Sequence, residues 1–166
     1  MRTENEHGDL GRAPYPPGSL PAPRFQASLL LSMTNRTKDW LSQAERDLEQ
    51  AEDSRGAGRH EWACFAAQQG AEKAVKALHL HLGQEAWGHV VAKLLRELPN
   101  SIEVPEALIE KARVLDNFYI PARYPNSHSG GAPFEHYGPL QSDEAIRHAR
   151  EILEFSRSAV ARRQDG

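Results

Sequence analysis

From Asn35 onward, apolar residues recur every three or four positions, the period of an amphipathic α-helix. Trp40, Leu41, Ala44, Leu48 and Ala51 share one face and predict a first helix from Thr37 to Ser54, broken by Gly56 and Gly58. A second stripe, including Trp62, Phe65, Ala66, Ala74, Val75, Leu78 and Leu82, predicts a helix from Arg59 to Leu82 that ends at Gly83. Within it, Ala63, Ala67, Gly70 and Ala71 are small enough to let another helix approach closely. A shorter helix is predicted from Gly88 to Leu98, stopped by Pro99. The next begins near Pro105, where proline suits a first turn, and continues through Leu108, Ala112 and Leu115 towards Tyr119. Residues 121–141 hold Pro125, Gly130, Gly131, Pro133 and Gly138 and are predicted to be a loop. Ser142, followed by Asp143 and Glu144, is the expected cap of a last helix running towards Arg163. Its inward positions are Ile146, Ala149, Ile152, Leu153, Ser156 and Val160. No stretch alternates like a strand, so the expected fold class is all-α, an antiparallel bundle of about five helices.

Residues 1–32 break this pattern. Five prolines and several glycines leave no helical period there, and so polar a segment buries too little to offset its ordering entropy. The expected organisation is a disordered tail over 1–32 and a helical domain over 33–166. Met33 stands just before a clean helix start and is an alternative start of translation.

Composition narrows the partners. A formal net charge of −3 excludes a bulk polyanion binder, so any nucleic-acid contact must come from a local patch. Cys64 is the one cysteine, which excludes an internal disulfide and a cysteine-based zinc site and fits a reducing, cytoplasmic setting. No apolar run approaches the roughly 20 residues that span a bilayer. His79 and His81, two apart on a helix, point different ways and make a poor metal pair. No metal site is expected.

Arginine followed five positions later by histidine occurs three times, at Arg2/His7, Arg55/His60 and Arg123/His128. Arginine grips phosphate with two parallel hydrogen bonds, and histidine moves protons near neutral pH. Together they are a minimal kit for cleaving RNA without a metal. The first pair falls in the tail and the second straddles a glycine turn. Only around Arg123/His128 do Pro121 and Pro125 restrict the backbone while Asn126 and Ser127 supply local hydrogen bonds. Asp116 precedes this turn and is placed to orient the arginine or to bond the loop. Spacing alone leaves a structural or solvated role open for the pair. The bland roles expected elsewhere are pairing or capping for Glu72 and Lys73, a cap or packing role for His89, and solvent for His136. Arg147 and Arg150 are expected on a solvated face, and Trp40 and Trp62 in the core.

The segments AAQQGAEKAVKAL, GHVVAKLL and LDNFYIPARYP, in this order and followed by the last helix, resemble a HEPN domain over Asn35 to Arg163. The resemblance implies a small helical bundle that dimerises. In ribonuclease members an Arg and a His, four to six residues between them, carry the chemistry; here these are Arg123 and His128. The two copies would bring their motifs together across the dimer axis, with Asp116, Tyr124 and Asn126 supporting the site or binding RNA. Cleavage would need neither metal nor cofactor and would leave a 2′,3′-cyclic phosphate and a 5′-hydroxyl. The RYP form, with Tyr124 after the arginine, resembles the subgroup encoded beside small nucleotidyltransferases, which implies the toxin half of a toxin–antitoxin pair. Some toxins of that subgroup carry an AMP-accepting tyrosine two positions after the histidine; this chain has Gly130 there. The rival expectation is a non-catalytic module that binds a nucleotide or docks a nucleotidyltransferase. A purely structural adaptor is the third.

Overall fold

The computed structural model describes residues 24–162, with side chains from Arg36 onward. Among these residues there are five α-helices and no strand: α1 (Arg24–Gly56), α2 (His60–His81), α3 (Val91–Arg96), α4 (Glu106–Asp116) and α5 (Pro139–Arg162). Two single 3₁₀ turns, Pro125–Ser127 and Pro133–Glu135, lie between α4 and α5. The expected all-α bundle is what forms.

α1 begins at Arg24 and runs unbroken through Met33, inside the segment expected to lack helix. The expectation of disorder for residues 1–23 lies outside the described residues, as does the Arg2/His7 pair. α1 ends in a glycine turn. Gly58 takes φ +72°, a conformation that strains any residue with a Cβ, and this lets the Arg59 N–H reach back to the Ser54 carbonyl at 2.8 Å. The chain therefore reverses at once, and α2 returns along α1. Ala44 and Ala51 of α1 and Ala63, Ala67, Ala71 and Ala74 of α2 are fully buried, so the small residues do mark a close helix contact. Gly70 sits at the tightest point. A Cβ built there would lie 3.0 Å from the Ala44 carbonyl oxygen and 3.3 Å from Leu48 Cγ.

α5 covers the other side of this hairpin, and all six positions expected to face inward are buried. It starts at Pro139 rather than Ser142. Proline is favoured in a first turn because it lacks the N–H that would go unpaired there. Ser142 is then an interior residue, fully buried, that donates to the Pro139 carbonyl and meets His60 Nδ1 at 2.9 Å. Arg55 pairs with Asp143 beside it. The second Arg/His match is thus a tie between the α1–α2 turn and α5. Arg150 pairs with Glu52, and Arg157 with Glu45 and Glu154, along the exposed α1–α5 seam. Such solvated pairs add little stability.

α3 and α4 are shorter than their patterns predict. α3 is a single helical stretch whose first N–H groups are capped from elsewhere: Asp116, the last residue of α4, accepts from Val91 N at 2.6 Å and Ala92 N at 3.1 Å. Burial nevertheless raises the Asp116 pKa, against the lowering effect of these two bonds, with Glu72 adding to the rise. His79 is buried in α2 and bridges Gln84 at 3.0 Å and the Leu94 carbonyl at 2.8 Å, a structural clasp on the α2–α3 connection. No helix is long and apolar enough among the described residues to cross a membrane.

Two buried groups give measurable consequences. Burial, then the nearby Glu61, pushes the Cys64 thiol up to about 12. The folded protein is expected to resist thiol reagents at pH 8 and to react fully once denatured; stoichiometric labelling of the native form would contradict this. In α5, burial holds the His148 imidazole below its usual range against the pull of Glu144 at 3.4 Å. From the lowered folded value up to about 6.5 the unfolded chain binds the extra proton, so stability falls as pH drops through that window. Melting temperatures at pH 7 and pH 5 should therefore differ less in His148→Leu than in the native chain.

Candidate active site

After α4 the chain does not open into a free loop. It continues in tight turns, with Phe118 N–H donating to Leu115 O at 2.9 Å, Arg123 to Ile120 O at 3.0 Å and His128 to Pro125 O at 3.0 Å. Phe118 and Ala122 are buried and anchor these turns to the core, which turns Tyr119 and Arg123 towards α2. The expected glycine-rich loop is itself organised. Gly131 takes φ +77°, Glu135 accepts the Ala132 N–H at 2.6 Å, and His136 Nε2 donates to the Gly130 carbonyl at 2.6 Å.

Arg123 lies in an aromatic cradle. Its guanidinium carbon is 4.4 Å from the Phe65 ring centroid, 4.7 Å from Tyr119 and 5.0 Å from Tyr124. Nε donates to the Tyr119 carbonyl at 2.7 Å. The two Nη groups have no hydrogen-bond partner among the described residues. The arginine is thus held at its base and open at its fork, the end that binds a phosphate in two parallel bonds.

The cradle has its own support. Tyr119 stacks on His89 at 4.7 Å with 16° between planes, and His89 Nδ1 meets both oxygens of Glu72 at 3.1 and 3.2 Å. Glu72 is buried in α2 and also accepts from Lys76 at 2.8 Å. Pairing, the bland role expected of Glu72, is the one it has, and it ends in the stack beneath Arg123.

His128 is half-buried. Its Nε2 lies 2.8 Å from the Pro121 carbonyl, which only accepts. The partner therefore assigns the proton to Nε2, and the neutral ring carries its lone pair on Nδ1. One face stacks on His136 at 4.0 Å with 4° between planes, and the edge of Tyr137 lies 6.1 Å away. Burial raises the Tyr137 pKa, with Cys64 contributing, so the phenol stays protonated at neutral pH. Because His128 is tied to the residue two before Arg123, it closes a turn that contains the arginine.

Of the other expected site residues, Tyr124 is exposed beside the guanidinium and Asn126 is exposed on the 3₁₀ turn. The structure gives Asp116 a different duty from orienting the arginine: its carboxylate caps α3. His136, expected in solvent, is exposed but lies flat against His128. Phe65, Tyr119 and His89 went unread as site residues. Tyr119 stands one helical turn before Arg123, the one sequence signal for its part; Phe65 and His89 arrive from other elements. Among the described residues no three His, Cys, Asp or Glu side chains gather as a metal site.

The helical frame and this turn together define a known class. The HEPN domain family matches residues 37–159, and the chain belongs to that family. It is 28% identical over 126 residues to "Putative toxin MJ1304" of Methanocaldococcus jannaschii, covering 70% of this chain and 83% of that protein. Among solved structures it resembles TT1696 from Thermus thermophilus with TM-score 0.74 and 50% identity, over 75% of this chain and 98% of that one. The archaeal HEPN homologue ST0689 matches over the same shares with TM-score 0.66 and 42% identity. So does a HEPN domain protein of Thermotoga maritima, with TM-score 0.61 and 33% identity.

Proposed function

We propose that the chain is a metal-independent endoribonuclease, the toxin half of a toxin–antitoxin pair. The observation that carries this is the closed turn in which Arg123 offers a free guanidinium fork and His128, bonded through Nε2, leaves Nδ1 without a hydrogen-bond partner among the described residues. His128 Nδ1 takes the proton of a ribose 2′-hydroxyl. The 2′-oxygen attacks phosphorus while the bond to the 5′-oxygen breaks. Arg123 binds the phosphorane oxygens as charge builds on them. The leaving 5′-oxygen takes a proton from a protonated His128, in a homodimer that of the second copy. Products are a 2′,3′-cyclic phosphate and a 5′-hydroxyl.

The homodimer has support in the surface around the motif. Ile120, Tyr124 and Phe134, on the segment that carries Arg123 and His128, and Leu140 in the first turn of α5 are 44%, 51%, 66% and 84% exposed. Pairing of two such surfaces would bring both motifs into one cleft. The toxin reading is supported by the relative in Methanocaldococcus jannaschii, whose name calls it a putative toxin. The RYP form points to a small nucleotidyltransferase as antitoxin, in the cytoplasm. The test is single-stranded RNA incubated with the purified dimer and EDTA, with the ends identified by mass. Cyclic-phosphate ends are expected, and intact RNA under these conditions refutes the reading.

A nucleotide-binding module is the second reading, favoured by the exposed Tyr124 ring beside the guanidinium. Calorimetry with ATP that shows tight binding, with no RNA cleavage, would select it.

A further inference from the structure

Trp62, expected in the core, is 48% exposed on the first turn of α2. It stands at the rim of an open cleft of about 470 Å³ between α1 and α2, a volume suited to a nucleobase and its sugar. The cleft floor includes Phe65, which meets Trp62 edge to face at 6.2 Å and 74°. The same Phe65 ring carries the Arg123 guanidinium at 4.4 Å. Two short steps thus lead from the proposed phosphate clamp to Trp62, and Phe65 is the wall common to both.

The charge in the cleft is just as specific. Lys73 and Asp47 neutralise each other at 2.6 Å. Arg59 is exposed and has no side-chain partner among the described residues, so its charge is the uncompensated one. An open aromatic face beside an unpaired guanidinium is the arrangement by which proteins hold single-stranded nucleic acid, the base on the ring and the backbone on the cation.

We propose that this cleft is a binding subsite for single-stranded RNA, holding a base that flanks the cleaved phosphate on Trp62 and the next phosphate on Arg59. It rests on the ribonuclease reading and adds the path of the strand: from Arg123, over Phe65, into the α1–α2 groove. Trp62 and Arg59 bind substrate and take no part in proton transfer.

The probe is a fluorescent twelve-nucleotide oligoadenylate with 2′-O-methyl groups, which cannot be cut. Its affinity is measured by anisotropy for the native protein, Trp62→Ala and Arg59→Gln, each checked for an unchanged melting curve. Trp62→Ala is expected to weaken binding about tenfold. Arg59→Gln is expected to weaken it several-fold and to flatten the slope of log affinity against log salt by roughly 0.7, one phosphate contact on a single strand. With cleavable RNA, KM should rise in both while kcat stays within twofold. If Trp62→Ala does not fold, Arg59→Gln, altered only at the surface, decides the matter. Native affinity and salt slope in the folded variants overturn the subsite; if the native protein still cuts RNA, the ribonuclease reading stands without it. A native protein that neither binds nor cuts RNA removes both. Variants that lose self-association while binding RNA normally also overturn the subsite and assign the cleft to protein contact.

Discussion

His128→Ala is expected to lower the cleavage rate at saturating RNA by about 10²–10⁴-fold, the range lost with a positioned general base. Under the ribonuclease reading the loss belongs to Nδ1, since Nε2 bonds to the Pro121 carbonyl. Most of the effect should fall on kcat, because a base acts in the transition state and adds little to ground-state binding. Arg123→Ala removes a charge-stabilising fork and is expected to cost about 10²–10³-fold. Arg123→Lys should recover little of this. An ammonium is a compact point charge that cannot reproduce the planar fork or lie flat on Phe65 and Tyr119 as the guanidinium does. Initial rates on a defined oligonucleotide, with circular dichroism as a folding control, provide the measurement. Native activity in a folded His128→Ala dimer would end the assignment.

The largest stability effect is expected at Gly70. A leucine there places four carbons where the first already lies 3.0 Å from the Ala44 carbonyl and 3.3 Å from Leu48 Cγ. The Ala44 oxygen belongs to the α1 backbone and cannot rotate away, so the two helices must separate. Overpacking of this kind costs about 1–3 kcal/mol, and the backbone obstacle places Gly70→Leu at the upper end. Gly70→Ala sets two terms against each other. Removing glycine from a helix interior gains about 0.8–1 kcal/mol, and a methyl group at 3.0 Å takes back a similar amount. Chemical denaturation should therefore find alanine near neutral and leucine strongly destabilised. Equal stability of the two variants would show that α1 and α2 are not held at this separation.

The bundle could be read from the chain because helix periodicity is a local property. Ala44, Leu48 and Ala51 of the α1 stripe and all six residues of the α5 stripe are buried, with Trp40 and Leu41 half-buried, and the small residues of α2 mark where a neighbour comes close. What escaped reading depends on distant pairs. Trp62 fits the α2 stripe by spacing, but no element covers it. Ser142 has the chemistry of a cap, yet Pro139 starts α5 one turn earlier and Ser142 bonds to His60 instead. Helix α3 ends up shorter than its pattern because its N-terminus is defined by Asp116, a residue 25 positions away from Val91. The same holds at the site. Arg123 and His128 stand out through the motif and its prolines, whereas the Phe65 and His89 contributions require α2 and the α2–α3 connection to be folded against the turn. Three copies of one spacing in a single chain show the limit of a motif: Arg55 and His60 have the same separation, and the structure uses them as fasteners.

The bond from His128 Nε2 to the Pro121 carbonyl has a consequence for the proposed ribonuclease cycle. A carbonyl accepts from a neutral and, more strongly, from a protonated imidazole, so a proton gained or lost at Nδ1 leaves this anchor in place. In the proposed mechanism neither copy's ring needs to flip, whether its Nδ1 takes a proton or gives one. Under the ribonuclease reading Nδ1 stays aimed in both states, so no conformer has to be rebuilt between one turnover and the next.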